Sequence, residues 1–305
     1  MAFDLEEKIV IGVSTRALFD MTLENEIYEK QGVEAYREYQ LQHENEPMKP
    51  GTGFGLIKQL LALNELSDKS LVEVIIMSRN SADTSLRVFH SIMHYGLNIT
   101  RAVLASGASL APYLKAFHTD LFLSAHEDDV LAAIHSGIAA GIICTEGSKS
   151  YIEQAREGKN PGQIRIAFDG DAVLFTDESE KIFQEKGLAA FEENEVLFAN
   201  KPLKEGPFAR FLKAIASIQE QFEPEKAPIR TALVTSRCAP AHERAIKTLR
   251  AWGVRVDEAF FLGGIAKKDV LQAFGADIFF DDQSVHTTPA SQVVFSARVP
   301  YANSA

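Results

Sequence analysis

Two aspartates separated by one glycine follow an apolar, strand-like segment near the middle of the chain. Residues 164–168 have the sequence IRIAF, and Asp169, Gly170 and Asp171 come directly after them. The carboxyl end of a strand is where open α/β sheets bind ligands, so we expect both carboxylates at one site. At this spacing one carboxylate can attack a substrate or bind a metal ion while the other transfers a proton.

Three later segments place polar residues at a predicted strand end or early in the helix that follows. They are residues 229–237 with Thr235, Ser236 and Arg237, residues 259–268 with Lys267 and Lys268, and residues 277–282 with Asp281 and Asp282. The order Asp, Thr, Lys, Asp-Asp is that of the haloacid dehalogenase superfamily of phosphotransferases, which this chain resembles in its motifs.

The resemblance implies a catalytic role for four residues. Asp169 would be the nucleophile that forms an aspartyl-phosphate. Asp171 would protonate the leaving ester oxygen and then activate water. Thr235 would donate a hydrogen bond to a phosphoryl oxygen, and Lys267 would balance its negative charge. Lys268 stays open as the alternative lysine.

The same resemblance implies a substrate-phosphate site and a metal site. Gly170, Ser236 and Arg237 are expected near the phosphate. Magnesium is the expected cofactor, because a hard, oxygen-rich site with few protein ligands suits Mg²⁺. Its expected ligands are Asp169, the main-chain carbonyl of Asp171 and Asp282, with Asp281 in support.

Longer segments resemble the cytosolic 5′-nucleotidase I family, whose animal members prefer AMP. They include IRIAFDGDAVLFTDESE, NKPLKEGP, TLRAWG, DEAFFLGG, IFFDDQSVH, QGVEAY and HENEP, and the similarity extends from about Ile9 to Tyr301. The family implies Mg²⁺-dependent hydrolysis of nucleoside 5′-monophosphates to nucleoside and phosphate, with nucleotides as substrate and as effector. Animal members carry A-P-K-G where this chain has residues 266–269, AKKD, so the catalytic lysine is left open.

Composition excludes several other classes of protein. The 305 residues favour two domains of about 150. No apolar run approaches the ~20 residues of a membrane span, and the start MAFDLEEKIV lacks the features of a signal peptide. Two cysteines are typical of a reducing cytosol, which predicts a cytoplasmic protein. A net charge of −11 argues against binding to a nucleic-acid polymer. A homo-oligomer stays open.

An internal repeat predicts how these elements are arranged. Residues 9–58 align without gaps on residues 164–213 at an offset of 155, and the offset later becomes 157 or 158. We therefore expect an α/β fold of two tandem haloacid-dehalogenase-like, Rossmann-like domains with parallel sheets, derived from a duplication. The expected bounds are 1–145 for a degenerate copy, 146–163 for a linker and 164–305 for an active copy. Residues 177–221 form a small helical cap of two helices.

The first copy lacks every expected catalytic side chain. In the alignment Ser14 replaces Asp169, Arg16 replaces Asp171 and Met77 replaces Thr235. Leu110 replaces Lys267, and Ser124 and Ala125 replace Asp281 and Asp282. Its favoured role is to pack against one face of the active copy. A structural Arg16 should then pair with a carboxylate, whereas an Arg16 that binds an anionic effector should face an open cleft.

Two other functions remain open at this stage. The runner-up is a phosphatase of another small phosphomonoester, such as a sugar phosphate, because the motifs fix the phosphoryl chemistry and say little about the leaving group. It also fits a non-catalytic nucleotide-binding regulator, although the intact Asp, Thr, Lys and Asp-Asp set favours an enzyme. Phe175, Phe198 and Phe208 are candidates to stack on a base, with a core role favoured.

Overall fold

Ten strands form one sheet in the part of the chain that the computed structural model describes, which is residue 5, residues 7–144 and residues 163–300. The strands are β1 Ile9–Val13, β2 Val72–Ser78, β3 Arg101–Leu104, β4 Leu121–Ser124, β5 Ala139–Ile143, β6 Ile164–Phe168, β7 Ile229–Thr235, β8 Glu258–Phe261, β9 Ile278–Asp281 and β10 Phe295–Arg298. Except for Gln163, the predicted linker lies outside the described residues.

The strand order is β3-β2-β1-β4-β5-β10-β9-β6-β7-β8. Neighbouring strands are parallel throughout, except at the antiparallel joint between β5 and β10. Counted outwards from this joint, the strands of the N-terminal half (residues 7–144) are β5-β4-β1-β2-β3, and those of the C-terminal half (residues 163–300) are β10-β9-β6-β7-β8. The equivalent strands of the two halves therefore follow in the same order. The fold is therefore mixed α/β with one large, mostly parallel sheet, and the halves join edge to edge.

The antiparallel joint determines which way each half faces. Since the strands of the two halves run in opposite directions, their carboxyl ends lie on opposite edges of the sheet. The expectation that the N-terminal half packs against one face of the other half is wrong. It instead continues the sheet and pairs with β10, which would otherwise present unpaired backbone groups as an edge strand.

The central strands form because their sequences are almost continuously apolar. All five residues of β1 are buried, and β6 and β7 each have only their second residue half-buried. Such strands are typical of a parallel sheet covered by helices on both faces.

Helices follow the strands and cover the sheet. They are α1 Thr15–Leu18, α2 Thr22–Gln31, α3 Val33–Gln42, α4 Phe54–Ala62, α5 Leu86–His94, α6 Ala111–Ala116, α7 Glu127–His135, α8 Glu178–Leu197, α9 Ala209–Gln219, α10 His242–Ala251, α11 Lys267–Phe274 and α12 Ser284–Ala290. The two helices predicted in residues 177–221 are α8 and α9, and α9 buries Phe211, Leu212 and Ile215 in the core that covers the sheet. Helix α8 is broken at Gly187, whose φ of 79° favours glycine.

The pairing registers correct one predicted correspondence between the halves. Ile9 pairs with Val72, and Ile164 pairs with Ile229. Aligning β1 with β6 therefore places β2 on β7 at an offset of 157, so Ser78 falls on Thr235. The predicted equivalence of Met77 with Thr235 was therefore wrong by one residue. Between these two strands the C-terminal half is longer than the N-terminal half by two residues, not three.

No helix within the described ranges combines the length and the apolar character that a membrane crossing needs.

Candidate active site

Side chains from β6, β7, β9 and α11 meet at the carboxyl edge of the C-terminal half. Asp169 is the first residue after β6, and its amide donates a hydrogen bond to the carbonyl of Phe280 at 2.8 Å. A tight turn, Gly170–Leu174, follows it, with Asp171 in an extended conformation. Within this turn Ala172 is in the left-handed region at φ 60°, an uncommon conformation for a residue with a side chain. The turn reverses the chain directly after the two aspartates.

Lys267 lies between two carboxylates of this site. Its Nζ is 2.7 Å from Oδ1 of Asp169 and 2.6 Å from Oδ2 of Asp281, and the residue is 2% exposed. Lys268 instead extends along the surface, where its Nζ donates to Oε1 of Gln292 at 2.8 Å. Of the two lysines left open by the sequence, the structure brings Lys267 to Asp169.

Three carboxylates form a cluster that fits a divalent cation. One oxygen from each of Asp169, Asp281 and Asp282 lies within 4.8 Å of the others. Oδ1 of Asp281 accepts the amide of Gln283 at 2.9 Å. Oδ1 of Asp282 is buried and has no hydrogen-bond partner among the described residues. A buried, unpaired carboxylate oxygen beside two further carboxylates suits a hard cation with oxygen ligands.

The pKa values of these side chains also favour a divalent cation at the carboxylate cluster. Burial, followed by the charges of Asp169 and Asp281, raises the pKa of Asp282 to about 8. Burial also raises the pKa of Asp169 to about 7, although Lys267 counteracts it. Burial would lower the pKa of Lys267, but the two carboxylates raise it, so the lysine stays charged. One ammonium group leaves this cluster under-neutralised, and a divalent ion would supply the missing positive charge.

Asp171 is held by Arg237. The guanidinium donates from Nε to Oδ2 and from Nη2 to Oδ1 of Asp171, both at 2.7 Å, and from Nη1 to Glu195. Arg237 is 4% exposed. The sequence predicted Arg237 at the substrate phosphate, but its guanidinium is occupied by these two carboxylates. Such bidentate pairing fixes the orientation of the carboxylate.

Glu195, on helix α8, anchors this arrangement and was not identified from the sequence. Its side chain is 0% exposed and also accepts hydrogen bonds from Nη1 of Arg244 at 2.9 Å and from Oγ of Ser179 at 2.8 Å. Burial would raise the pKa of Glu195, but Arg237 and Arg244 together lower it below its ordinary value. Helix α8 and the Asp171 turn are thereby connected through buried charges.

The remaining predicted residues lie around the same edge. Thr235 is 1% exposed, and its Oγ1 accepts the amide of Arg237 at 3.2 Å. Oγ1 of Thr235 is also 3.2 Å from where a Cβ on Gly170 would lie, so the glycine lets the turn approach the threonine. Ser236, directly after Thr235, is exposed.

Two of the three candidate phenylalanines belong to the core. Phe175 and Phe208 are 0% exposed, as the favoured interpretation predicted. Phe198, at the end of α8, is 39% exposed and lies 5.7 Å from the guanidinium carbon of Arg244. His286, on α12, is a further residue that the sequence analysis missed. Burial lowers its pKa, and the charge of Lys267 lowers it further.

Comparison with known proteins identifies related sequences. A family profile described as 5′-nucleotidase matches residues 1–305. Human (Homo sapiens) cytosolic 5′-nucleotidase 1B is 39% identical over 298 residues, which cover 93% of this chain and 47% of the human protein. The chain thus spans about half the length of this curated relative.

Proposed function

The chain belongs to the 5′-nucleotidase family, and from this premise we propose that it hydrolyses nucleoside 5′-monophosphates, with AMP as a leading substrate, to nucleoside and phosphate. The observation that carries the proposal is the contact of Asp169 with Lys267 beside Asp281 and Asp282 at a sheet edge. The human relative is named as a cytosolic enzyme, and we propose the same compartment for this protein.

In the proposed first step, a carboxylate oxygen of Asp169 attacks phosphorus. The bond from phosphorus to the 5′ oxygen breaks, and Asp171 gives its proton to that oxygen. Water then attacks the aspartyl-phosphate and passes a proton to Asp171, which releases phosphate and restores Asp169. Asp171 can serve both steps because it returns to its starting protonation state.

Asp171 must reach the leaving oxygen, while Arg237 holds both of its carboxylate oxygens. We propose that Arg237 is a positioning residue. It keeps Asp171 oriented until the leaving group is in place, and Glu195 keeps Arg237 in position.

The negative charge of the phosphoryl group has to be balanced before a carboxylate can approach. In this proposal Lys267 and the Thr235 hydroxyl stabilise phosphoryl oxygens. Asp169, the main-chain carbonyl of Asp171 and Asp282, with Asp281 in support, would hold Mg²⁺. When bound, the ion supplies positive charge to the phosphoryl group.

We further propose that the two halves are tandem haloacid-dehalogenase-like copies from a duplication, of which only the second is active. Matching backbone contacts support this proposal at the offsets of 155 and 157. The amides of Val10 and Arg165 donate to Oδ2 of Asp120 and Asp277 at 2.9 and 2.8 Å, and the amides of Met48 and Leu203 donate to hydroxyls of Ser91 and Thr248, both at 2.9 Å.

Phosphate release from a panel of nucleoside monophosphates and sugar phosphates tests the function. We expect hydrolysis of nucleoside monophosphates that EDTA abolishes and Mg²⁺ restores. Asp169→Asn should lower turnover by several orders of magnitude with the fold intact, because the attacking charge is lost. Preference for sugar phosphates would favour the alternative phosphatase. An active Asp169→Asn variant, or failure to trap a fluoroberyllate adduct on Asp169, would remove the mechanism.

A further inference from the structure

A second cleft, with a volume of about 660 Å³, opens at the carboxyl edge of the N-terminal half. It is the counterpart of the proposed active site and faces the opposite edge of the sheet. Residues after β1, β2 and β4 line it, among them Arg16, Arg79 and His126, and helices α2 and α3 form its other wall. Nothing in the proposed reaction uses this cleft.

The charge of the cleft is the reverse of that in the active half. Arg16 stands where the C-terminal half has Asp171, and its Nη1 donates to the amide oxygen of Asn25 at 3.0 Å. The carboxylate partner that a structural Arg16 was expected to have is not found among the described residues. Arg79 pairs with Asp129 at 2.8 Å, so two guanidinium groups face one carboxylate.

An aromatic pair lies on the helical wall. The rings of Tyr28 and Tyr36 meet edge to face, with centroids 6.0 Å apart at 86°, and Tyr28 is 53% exposed. At the offset of 155 the C-terminal half has Phe183 and Phe191, whose rings lie 6.4 Å apart at 82°. The N-terminal cleft has thus kept an aromatic surface beside its cations.

A buried hydroxyl adds a third independent feature. Thr15 lines the cleft and is 3% exposed, and its Oγ1 has no hydrogen-bond partner among the described residues. Buried hydroxyls normally have a partner, so this one is available to a ligand or water in the cleft.

We propose that this cleft binds a nucleoside phosphate without a metal ion. Arg16 and Arg79 contact the phosphate, and the base lies against Tyr28. The cluster of carboxylates that requires a cation in the C-terminal half has no counterpart here, because the corresponding positions hold Ser14, Ser124 and Ala125. Phosphate can therefore be bound by arginine alone.

Calorimetric titration in EDTA tests this site on the Asp169→Asn protein, with AMP, ADP, ATP, adenosine and inorganic phosphate as probes. We expect one nucleotide bound per chain, and weaker binding of adenosine and of phosphate. Arg16→Ala should weaken nucleotide binding about 10- to 100-fold, as for loss of a charged hydrogen bond. Tyr28→Ala should weaken nucleotides about tenfold and leave inorganic phosphate unchanged.

The matched control is Arg37→Ala. Arg37 is a half-exposed arginine of the same half that pairs with Asp83 and lies outside the cleft, so its loss should not change binding. Arg16→Lys, which keeps the charge, should recover part of the affinity, and thermal unfolding checks that each variant is folded. Absence of nucleotide binding in EDTA, or equal affinities of Arg16→Ala and the control, would overturn the proposal. Either result leaves the proposed hydrolysis untouched, because no turnover is measured.

Discussion

Replacing Glu195 by glutamine should destabilise the protein far more than the loss of an ordinary ion pair. Glu195 is 0% exposed and its carboxylate serves two buried guanidinium groups, those of Arg237 and Arg244. Glutamine keeps the shape and one acceptor oxygen but removes the negative charge. Breaking a buried pair by removing one partner costs about 3–5 kcal/mol, since the other charge stays buried and uncompensated.

The effect should depend on pH in a defined direction. Because the pKa of Glu195 is lowered in the folded protein from its ordinary value of 4.5, its contribution to stability is complete above that value. The contribution is lost as the pH falls through the lower, folded-state pKa. The difference in unfolding free energy between wild type and Glu195→Gln should therefore be constant near neutral pH and shrink in acid.

Urea unfolding followed by tryptophan fluorescence measures this difference. The single tryptophan, Trp252, packs against Phe175 in the C-terminal half, with ring centroids 5.5 Å apart, and reports on the region concerned. Glu26→Gln is the control, because the Lys30–Glu26 pair is largely exposed and worth below about 1 kcal/mol. A loss below about 1 kcal/mol for Glu195→Gln at pH 7 would refute the reasoning. A difference that persists unchanged in acid would refute its electrostatic origin.

Three further outcomes are expected. Lys267→Ala should lower kcat by about 10²–10³, whereas Lys268→Ala should be mild, and steady-state kinetics that reverse this order would move the role to Lys268. Asp282→Asn should raise the Mg²⁺ concentration needed for half-maximal activity in a metal titration, and an unchanged value would remove it from the ligand set. Gly206→Ala should lower the free energy of unfolding by about 1–3 kcal/mol, because the added Cβ would lie 2.4 Å from the carbonyl oxygen of Phe175. An unfolding free energy equal to that of the wild type would show that the backbone around Gly206 shifts at little cost.

The part of the site built from strand ends was predictable from the sequence. Asp169, Thr235 and Asp281 each follow or end an apolar strand, and parallel strands bring their carboxyl ends to one edge. Lys267 could be placed at a helix start, but only the direction of α11 distinguishes it from Lys268.

Glu195 was missed for a physical reason. Helix α8 carries many glutamates, and neither local sequence nor helical spacing distinguishes Glu195 from the exposed Glu193. Burial of its charge depends on Arg237 and Arg244, which are remote in sequence. The partners of Arg237 were not predictable either. An arginine at this position is suited to bind a phosphate, but the tertiary structure pairs it with Asp171 and Glu195. The antiparallel pairing of β5 with β10 was also not predictable, because no periodic pattern in the sequence indicates it.

The edge-to-edge joint gives this single chain the geometry of a twofold-symmetric dimer. Leu121 pairs with Ala139 and Ile278 pairs with Phe295, so β5 aligns with β10 at an offset of 156. At this offset Ile142 pairs with its own counterpart, Arg298, which places an approximate dyad at this pair. In a true homodimer every substitution appears twice, so a catalytic site and a site with other chemistry cannot evolve separately on one surface. Under the proposed duplication, joining both halves in one chain removes that constraint and keeps their association independent of protein concentration. One half can thus specialise for turnover while the other specialises for something else, in a fixed one-to-one ratio.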